Sequence, residues 1–136
     1  MSGRPQDLEV VLPARRDAWA ELGDVLGRAG VSLEGGGVVT HAGATVAHYL
    51  VDDGPLALRA LARAGFDTVR VRDVVTTRVS QGVPGSLGAL ARRLAGAGVD
   101  VAVQYSDHSG NLVLVMADED LERCRRVLAA DGTTVV

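Results

Sequence analysis

The sequence predicts an α+β protein made of two copies of one small module, each copy running strand, helix, strand, strand, helix, strand. Three observations carry this. The chain matches itself about 68 positions apart. Helical and strand-like spacings of apolar residues follow one another in the same order in each copy. Finally, 136 residues, 47% hydrophobic and 23% charged, fit one ordinary globular domain or two very small ones sharing a core.

The internal match is clearest in the first half of each copy. Ala18 to Leu33 reads AWAELGDVLGRAGVSL and Ser86 to Val101 reads SLGALARRLAGAGVDV, with Leu22 over Leu90, Leu26 over Leu94, Ala29 over Ala97 and Gly30 over Gly98. The register then slips by about one residue in a hairpin, beyond which Leu61 lies over Leu128 and Gly65 over Gly132. Such a period is too long for a solenoid repeat and suits one α+β module.

Each element has its own signal. Asp7 to Leu12 and Val74 to Val79 are short and rich in Val, Leu and Thr, as strands are. Trp19, Leu22, Leu26 and Ala29, and then Leu87, Leu90, Ala91, Leu94 and Ala97, recur at helical spacing, and each series ends in a Gly suited to a left-handed cap. Val31 to Leu33 with Val38 to Thr40 turns near His41, Ala42 and Gly43 into Thr45 to Val51; Val99 to Tyr105 turns at Asp107 to Asn111 into Leu112 to Met116. Both read as hairpins. Second helices follow over Pro55 to Ala64 and Asp120 to Ala130, with Pro55 in a first-turn position and Asp118, Glu119 and Asp120 complementing the helix dipole. Thr68 to Arg72 and Thr133 to Val136 close the copies as strands.

This order is the split βαβ, or ferredoxin-like, arrangement, an antiparallel sheet with both helices on one face. It divides the chain into a tail at 1–6, a module at 7–73 and a module at 74–136. No Pro or Gly interrupts Val69 to Val79, so a flexible linker is not expected there.

Composition removes several function classes. The net charge of −3 is spread without blocks of one sign, which offers no footprint for nucleic acid, and no apolar run approaches the length of a membrane span. All 14 basic residues are Arg, so a Schiff-base lysine or the lysine of a phosphate-binding loop is excluded. One cysteine, Cys124, forms no internal disulfide and no several-thiolate zinc site; with Leu121 and Leu128 as helix neighbours it reads as a core thiol, and a reducing cytoplasm is expected.

Other residues read mainly as structure. His41 and His108 fall in hairpin turns and His48 on a strand, so with Glu34 they share no metal-ligand spacing, and neither a metal nor a cofactor is expected. Gly35, Gly36 and Gly37 mark a bulge or a close backbone approach. Among Tyr105, Ser106, Asp107 and His108, Asp107 and Ser109 suit turn hydrogen bonds, with a ligand or partner contact as the alternative. Trp19 reads as core rather than site by its helical spacing, although one turn into its helix it lies close to the pocket expected at the helix start.

Val83-Pro84-Gly85-Ser86-Leu87, followed by Leu90, Leu94 and Ala97-Gly98-Val99-Asp100-Val101, resembles the ACT domain: a Pro-Gly turn, a leucine-bearing helix, then a Gly-x-Asn-Ile-like start to the second strand. The tandem resembles the small stand-alone ACT proteins of bacteria, and Val103 to His108 looks typical of an actinobacterial branch. That resemblance implies an amino-acid-binding regulatory protein with two four-stranded sheets joined edge to edge into eight strands and the effector held between the domains.

Physical chemistry supports a site at the same turn. Gln81, Gly82, Val83, Pro84, Gly85, Ser86 and Leu87 deliver a helix N-terminus, whose unpaired N–H groups attract a carboxylate. Gly85 lets a ligand approach the backbone, and Ser86 either caps the helix or binds the ligand. Ser32 in the first copy, and Asp100 with Val101 in the second, stand at the start of the second strand; Asp100 replaces the family's Asn and is suited to an α-ammonium, hence to a zwitterion. The first copy departs from the pattern, with Arg16 and Asp17 where Pro84 and Gly85 stand. There Arg15 or Arg16 grips a carboxylate, or both are solvated surface.

Leu112 to Met116 is apolar at every position, so both faces of that strand should be covered, which points to a homodimer. No nucleophile with an adjacent base is visible. The expectation is a non-enzymatic amino-acid sensor with an unidentified regulated partner. An interaction module with a vestigial pocket is the alternative, and an enzyme using His108 and Asp107 is more distant.

Overall fold

Leu8, Val10 and Leu12 alternate with polar or half-buried neighbours, so one side of their strand turns into a core, and all three are buried. A computed structural model of the chain describes residues 4–80 and 82–130. The chain divides into two compact units between Asp73 and Val74.

In the first unit, β1 (Gln6–Leu12) is followed by α1 (Ala18–Arg28), β2 (Leu33–His41), β3 (Ala44–Val51), α2 (Gly54–Arg63) and β4 (Val69–Asp73). The strands form an antiparallel sheet in the order β2-β3-β1-β4. Leu8 sits opposite Tyr49 and Val71, and Val10 opposite Ala47 and Val69. This face packs against Leu22, Leu26, Ala57 and Leu61 of the helices. Each fully buried leucine contributes roughly 1.5–3 kcal/mol. The other face carries Asp7, Glu9, His48, Arg70 and Arg72, which are tied together by ion pairs.

The second unit runs β5 (Val75–Thr77), α3 (Ser86–Gly96), β6 (Val103–Ser106), β7 (Leu112–Val115), a 3-10 turn at Asp118–Asp120 and α4 (Leu121–Ala129). Its sheet has the order β5-β7-β6, and Val75, Leu94, Leu114, Met116, Cys124 and Leu128 belong to its core. The described residues therefore form a mixed α+β fold with seven strands in two antiparallel sheets and four α-helices. Among the described residues the strands pair as two separate sheets, one of four strands and one of three. The closing strand expected at 133–136 lies outside the described residues.

The repeated glycines behave alike. Gly30 and Gly98 have φ +76° and +78°, and just beyond them the amides of Val31 and Val99 donate to the carbonyls of Leu26 and Leu94, each at 3.0 Å. This cap occupies the Val99 amide, and β6 begins at Val103 rather than at Val99 as the sequence suggests. At the bulge between Leu33 and Gly35 the edge strand shifts register, and Gly36 follows at φ +117°; a Cβ there would overlap the His48 carbonyl oxygen.

Two helix assignments need correction. Trp19 is 61% exposed and its repeat-equivalent Leu87 is 50% exposed, so neither belongs to the core; Ala91 is exposed as well. The buried stripes are Ala18, Leu22, Val25 and Leu26 in α1, and Leu90 and Leu94 in α3. Both large residues lie in the first turn, on the flank of the stripe. The apolar strand Leu112–Val115 is buried at every position, as its sequence suggests.

Candidate functional site

The turn after β5 is built by local hydrogen bonds. The Val83 amide donates to the Ser80 carbonyl at 2.9 Å, and the Val83 carbonyl accepts from the Ser86 amide at 3.2 Å and the Ser86 hydroxyl at 2.9 Å. Ser86 is thus the first residue of α3 rather than its cap. The N-cap is Gly85, at φ +87°, a conformation that side chains disfavour. Its carbonyl accepts from the Ala89 amide at 3.0 Å. The amides of Leu87 and Gly88 are those that a helix start leaves without an intrahelical acceptor.

A cavity of about 310 Å³ opens at this helix start. Val83, Pro84, Gly85, Ser86, Leu87 and Gly88 form one side of it; Val79, Leu112, Gln104 and Ser106 form the other. Gln104 and Ser106 pair with Leu114 and Leu112, whose side chains enter the helix-side core, so the two polar residues occupy the helix-facing side of β6. Among the described residues no charged side chain lines the cavity. It offers backbone amides at the positive end of a helix, one amide side chain, two hydroxyls and apolar walls.

The expected site residues fare differently. Val83, Pro84, Gly85, Ser86 and Leu87 are brought together around the cavity. Gly82 is exposed in the same turn, and Gln81 lies outside the described residues. Asp100 and Val101 are exposed and do not line the cavity. Ser32 is in the first unit, where its amide donates to Asp52 at 2.9 Å and its hydroxyl to Glu34 at 3.2 Å. Arg15 is held by Asp17 at 2.8 Å and Glu21 at 2.5 Å, and Arg16 is exposed. The hydrogen bond from Arg15 holds the Asp17 carboxyl below its ordinary range. With two carboxylates already on its guanidinium, Arg15 is committed to the surface of its own turn.

Of the two polar residues on the far wall, Ser106 falls in the hairpin cluster for which the sequence offers a ligand contact as an alternative, whereas sequence reasoning missed Gln104. Their signal is a phase conflict, since polar residues stand where the pairing with Leu112 and Leu114 calls for core-facing positions. Asp107 organises the hairpin turn, where its carboxylate accepts from the amides of Ser109 (2.9 Å) and Asn111 (2.8 Å) and from Asn111 Nδ2 (2.9 Å). His108 is exposed in that turn, His41 is exposed at the end of β2, and His48 points to Asp7. Among the described residues no group of three or more His, Cys, Asp or Glu side chains is placed to hold a metal ion, and no helix is long and apolar enough to cross a membrane.

No protein-family model matches the chain, and no curated protein matches it in sequence. Solved structures do match in fold. A protein from Bacteroides thetaiotaomicron aligns with TM-score 0.75 and 23% identity over 100% of this chain and 92% of its own. The ligand-free regulatory subunit of aspartate kinase from Thermus thermophilus aligns with TM-score 0.71 and 13% identity, over 93% of this chain and 91% of its own. The corresponding subunit from Thermus flavus gives 0.64 and 16%, over 96% and 93%. The chain therefore shares the fold of regulatory subunits of aspartate kinase over nearly its whole length.

Proposed function

We propose that this chain is a non-enzymatic regulatory protein of the ACT type that binds an amino acid or similar small zwitterion at the Pro84-Gly85 turn. The observation that carries the proposal is the cavity at the start of α3, where the amides of Leu87 and Gly88 suit a carboxylate and Gln104 and Ser106 suit an ammonium group. The fold shared with regulatory subunits supports a regulatory role over a catalytic one.

The ACT resemblance extends the proposal. It gives Gln81 and Gly82 a place in the ligand loop, and it makes Ser32, Asp100 and Val101 second-wall residues where modules pair edge to edge into eight strands. It also supplies the homodimer and the regulated protein partner. An actinobacterial origin rests on the Val103 to His108 segment, and a cytoplasmic location on the lone thiol of Cys124. Arg15 and Arg16 belong to surface on this reading, which leaves one competent ligand turn per chain.

Thermal unfolding in the presence of each amino acid tests the proposal. A ligand at about a hundred times its dissociation constant adds roughly 2.7 kcal/mol of stability. A folded protein that responds to none of them is instead an interaction module with a vestigial pocket.

A further inference from the structure

Trp19 stands in the first turn of α1 with 61% of its surface exposed, an unusual place for the chain's one tryptophan. Its position is fixed: Nε1 donates to the Tyr49 hydroxyl at 3.0 Å across the space between α1 and β3. Beneath this bridge lies a cavity of about 410 Å³ in the first unit, lined by Trp19, Ala20, Leu22, Gly23, Leu33 and Tyr49. The small residues Ala20 and Gly23 leave the helix side of it open, and a Cβ built on Gly23 meets nothing within 4 Å. This volume falls within the range of small-molecule sites, roughly 300–1,000 Å³.

We infer that this cavity is a second ligand site, for a neutral planar aromatic molecule stacked against the Trp19 indole. Among the described residues its lining holds no charged side chain, so an ionised group gains nothing inside it. Two aromatic residues supply faces and edges for an offset or edge-to-face partner, which favours a flat ring over an aliphatic one of equal size. The Tyr49 hydroxyl, which accepts from Trp19, keeps its own proton to donate to a carbonyl or hydroxyl on the ligand. The inference does not depend on amino-acid binding by the second unit, because its residues all belong to the first.

Because Trp19 is the chain's one indole, its fluorescence reports the cavity directly. Benzamide and cyclohexanecarboxamide serve as flat and puckered probes of similar size. The expected result is a saturable change in Trp19 emission with benzamide and at least fivefold weaker binding of cyclohexanecarboxamide. Gly23→Leu and Ala20→Leu, each of which fills the cavity from an exposed helix position, should keep the fold by circular dichroism and weaken benzamide binding at least fivefold. A linear, non-saturating response, equal affinity for the two probes, or undiminished binding by a folded filling variant overturns the inference. An emission shift that grows with protein concentration alone assigns the face to a second copy of the chain and overturns it equally.

Discussion

His48 Nδ1 lies 2.9 Å from Asp7 Oδ2, and Asp7 is wholly buried on the sheet face turned away from the helices. Glu9, within 3.5 Å of His48 Nε2, is held in turn by Arg70 at 3.1 Å and Arg72 at 3.2 Å. A buried carboxylate persists only where partners replace its lost water. His48→Ala removes one such partner and should cost about 3 kcal/mol in urea unfolding. Asp7→Asn keeps a hydrogen-bonding group of the same shape and should cost nearer 1 kcal/mol. Equal costs for the two variants would show that the carboxylate charge matters more than the contact.

The helix-side half of the fold was legible because its signals are local and repeated. Leu22 and Leu26 recur as Leu90 and Leu94, and Gly30 recurs as Gly98 with the same left-handed backbone and the same capping bond. The ionic face was not legible, since Asp7 and His48 are 41 positions apart and meet only through the β1–β3 register. Trp19 was misassigned because helical spacing alone does not separate the centre of an apolar stripe from its flank. At the candidate site the turn was legible from Pro84 and Gly85. The opposite wall was legible only in part: Ser106 belongs to a hairpin cluster with a ligand contact as its alternative reading, but Gln104 looks like part of an ordinary hairpin.

Two glycines illustrate different physical reasons for having no side chain. Gly85→Ala meets open space and suffers only from its positive φ, at a cost of about 1–2 kcal/mol. Gly36→Ala adds overlap with the His48 carbonyl to a positive φ, so its cost should exceed that of Gly85→Ala by at least about 1 kcal/mol. Denaturant midpoints of the two variants, measured side by side, check the order.

Cys124 gives a pH dependence. Burial pushes its thiol up from the ordinary 9.0 to about 11. Below pH 9 folded and unfolded chains both hold the proton; between 9 and about 11 the unfolded chain releases it first, so stability falls as pH rises through that window. The loss attributable to this group is at most about 3 kcal/mol. Cys124→Ala should therefore flatten the decline in stability over that interval relative to the unaltered chain. Parallel curves would show that the thiolate is solvated in the folded state.

In the first unit, Arg15 is already paired with Asp17 and Glu21, and Arg16 is solvent-exposed. Arg16→Ala should leave any amino-acid-induced thermal shift unchanged, while Gln104→Ala should reduce ligand affinity about tenfold, the equivalent of one lost hydrogen bond. Titration of both variants with the responding amino acid by calorimetry distinguishes them.

Amino-acid binding at the α3 turn is tested most directly by thermal unfolding of the unaltered chain and of Gly88→Leu with each amino acid in turn. Gly88 lines the α3 cavity, and a Cβ on it meets nothing within 4 Å, so leucine fills the space without straining the helix. At least one amino acid should raise the midpoint of the unaltered chain by roughly 5–10 °C at saturating concentration and leave folded Gly88→Leu unmoved. No response from the unaltered chain, or a response that survives in Gly88→Leu, would contradict binding at this turn.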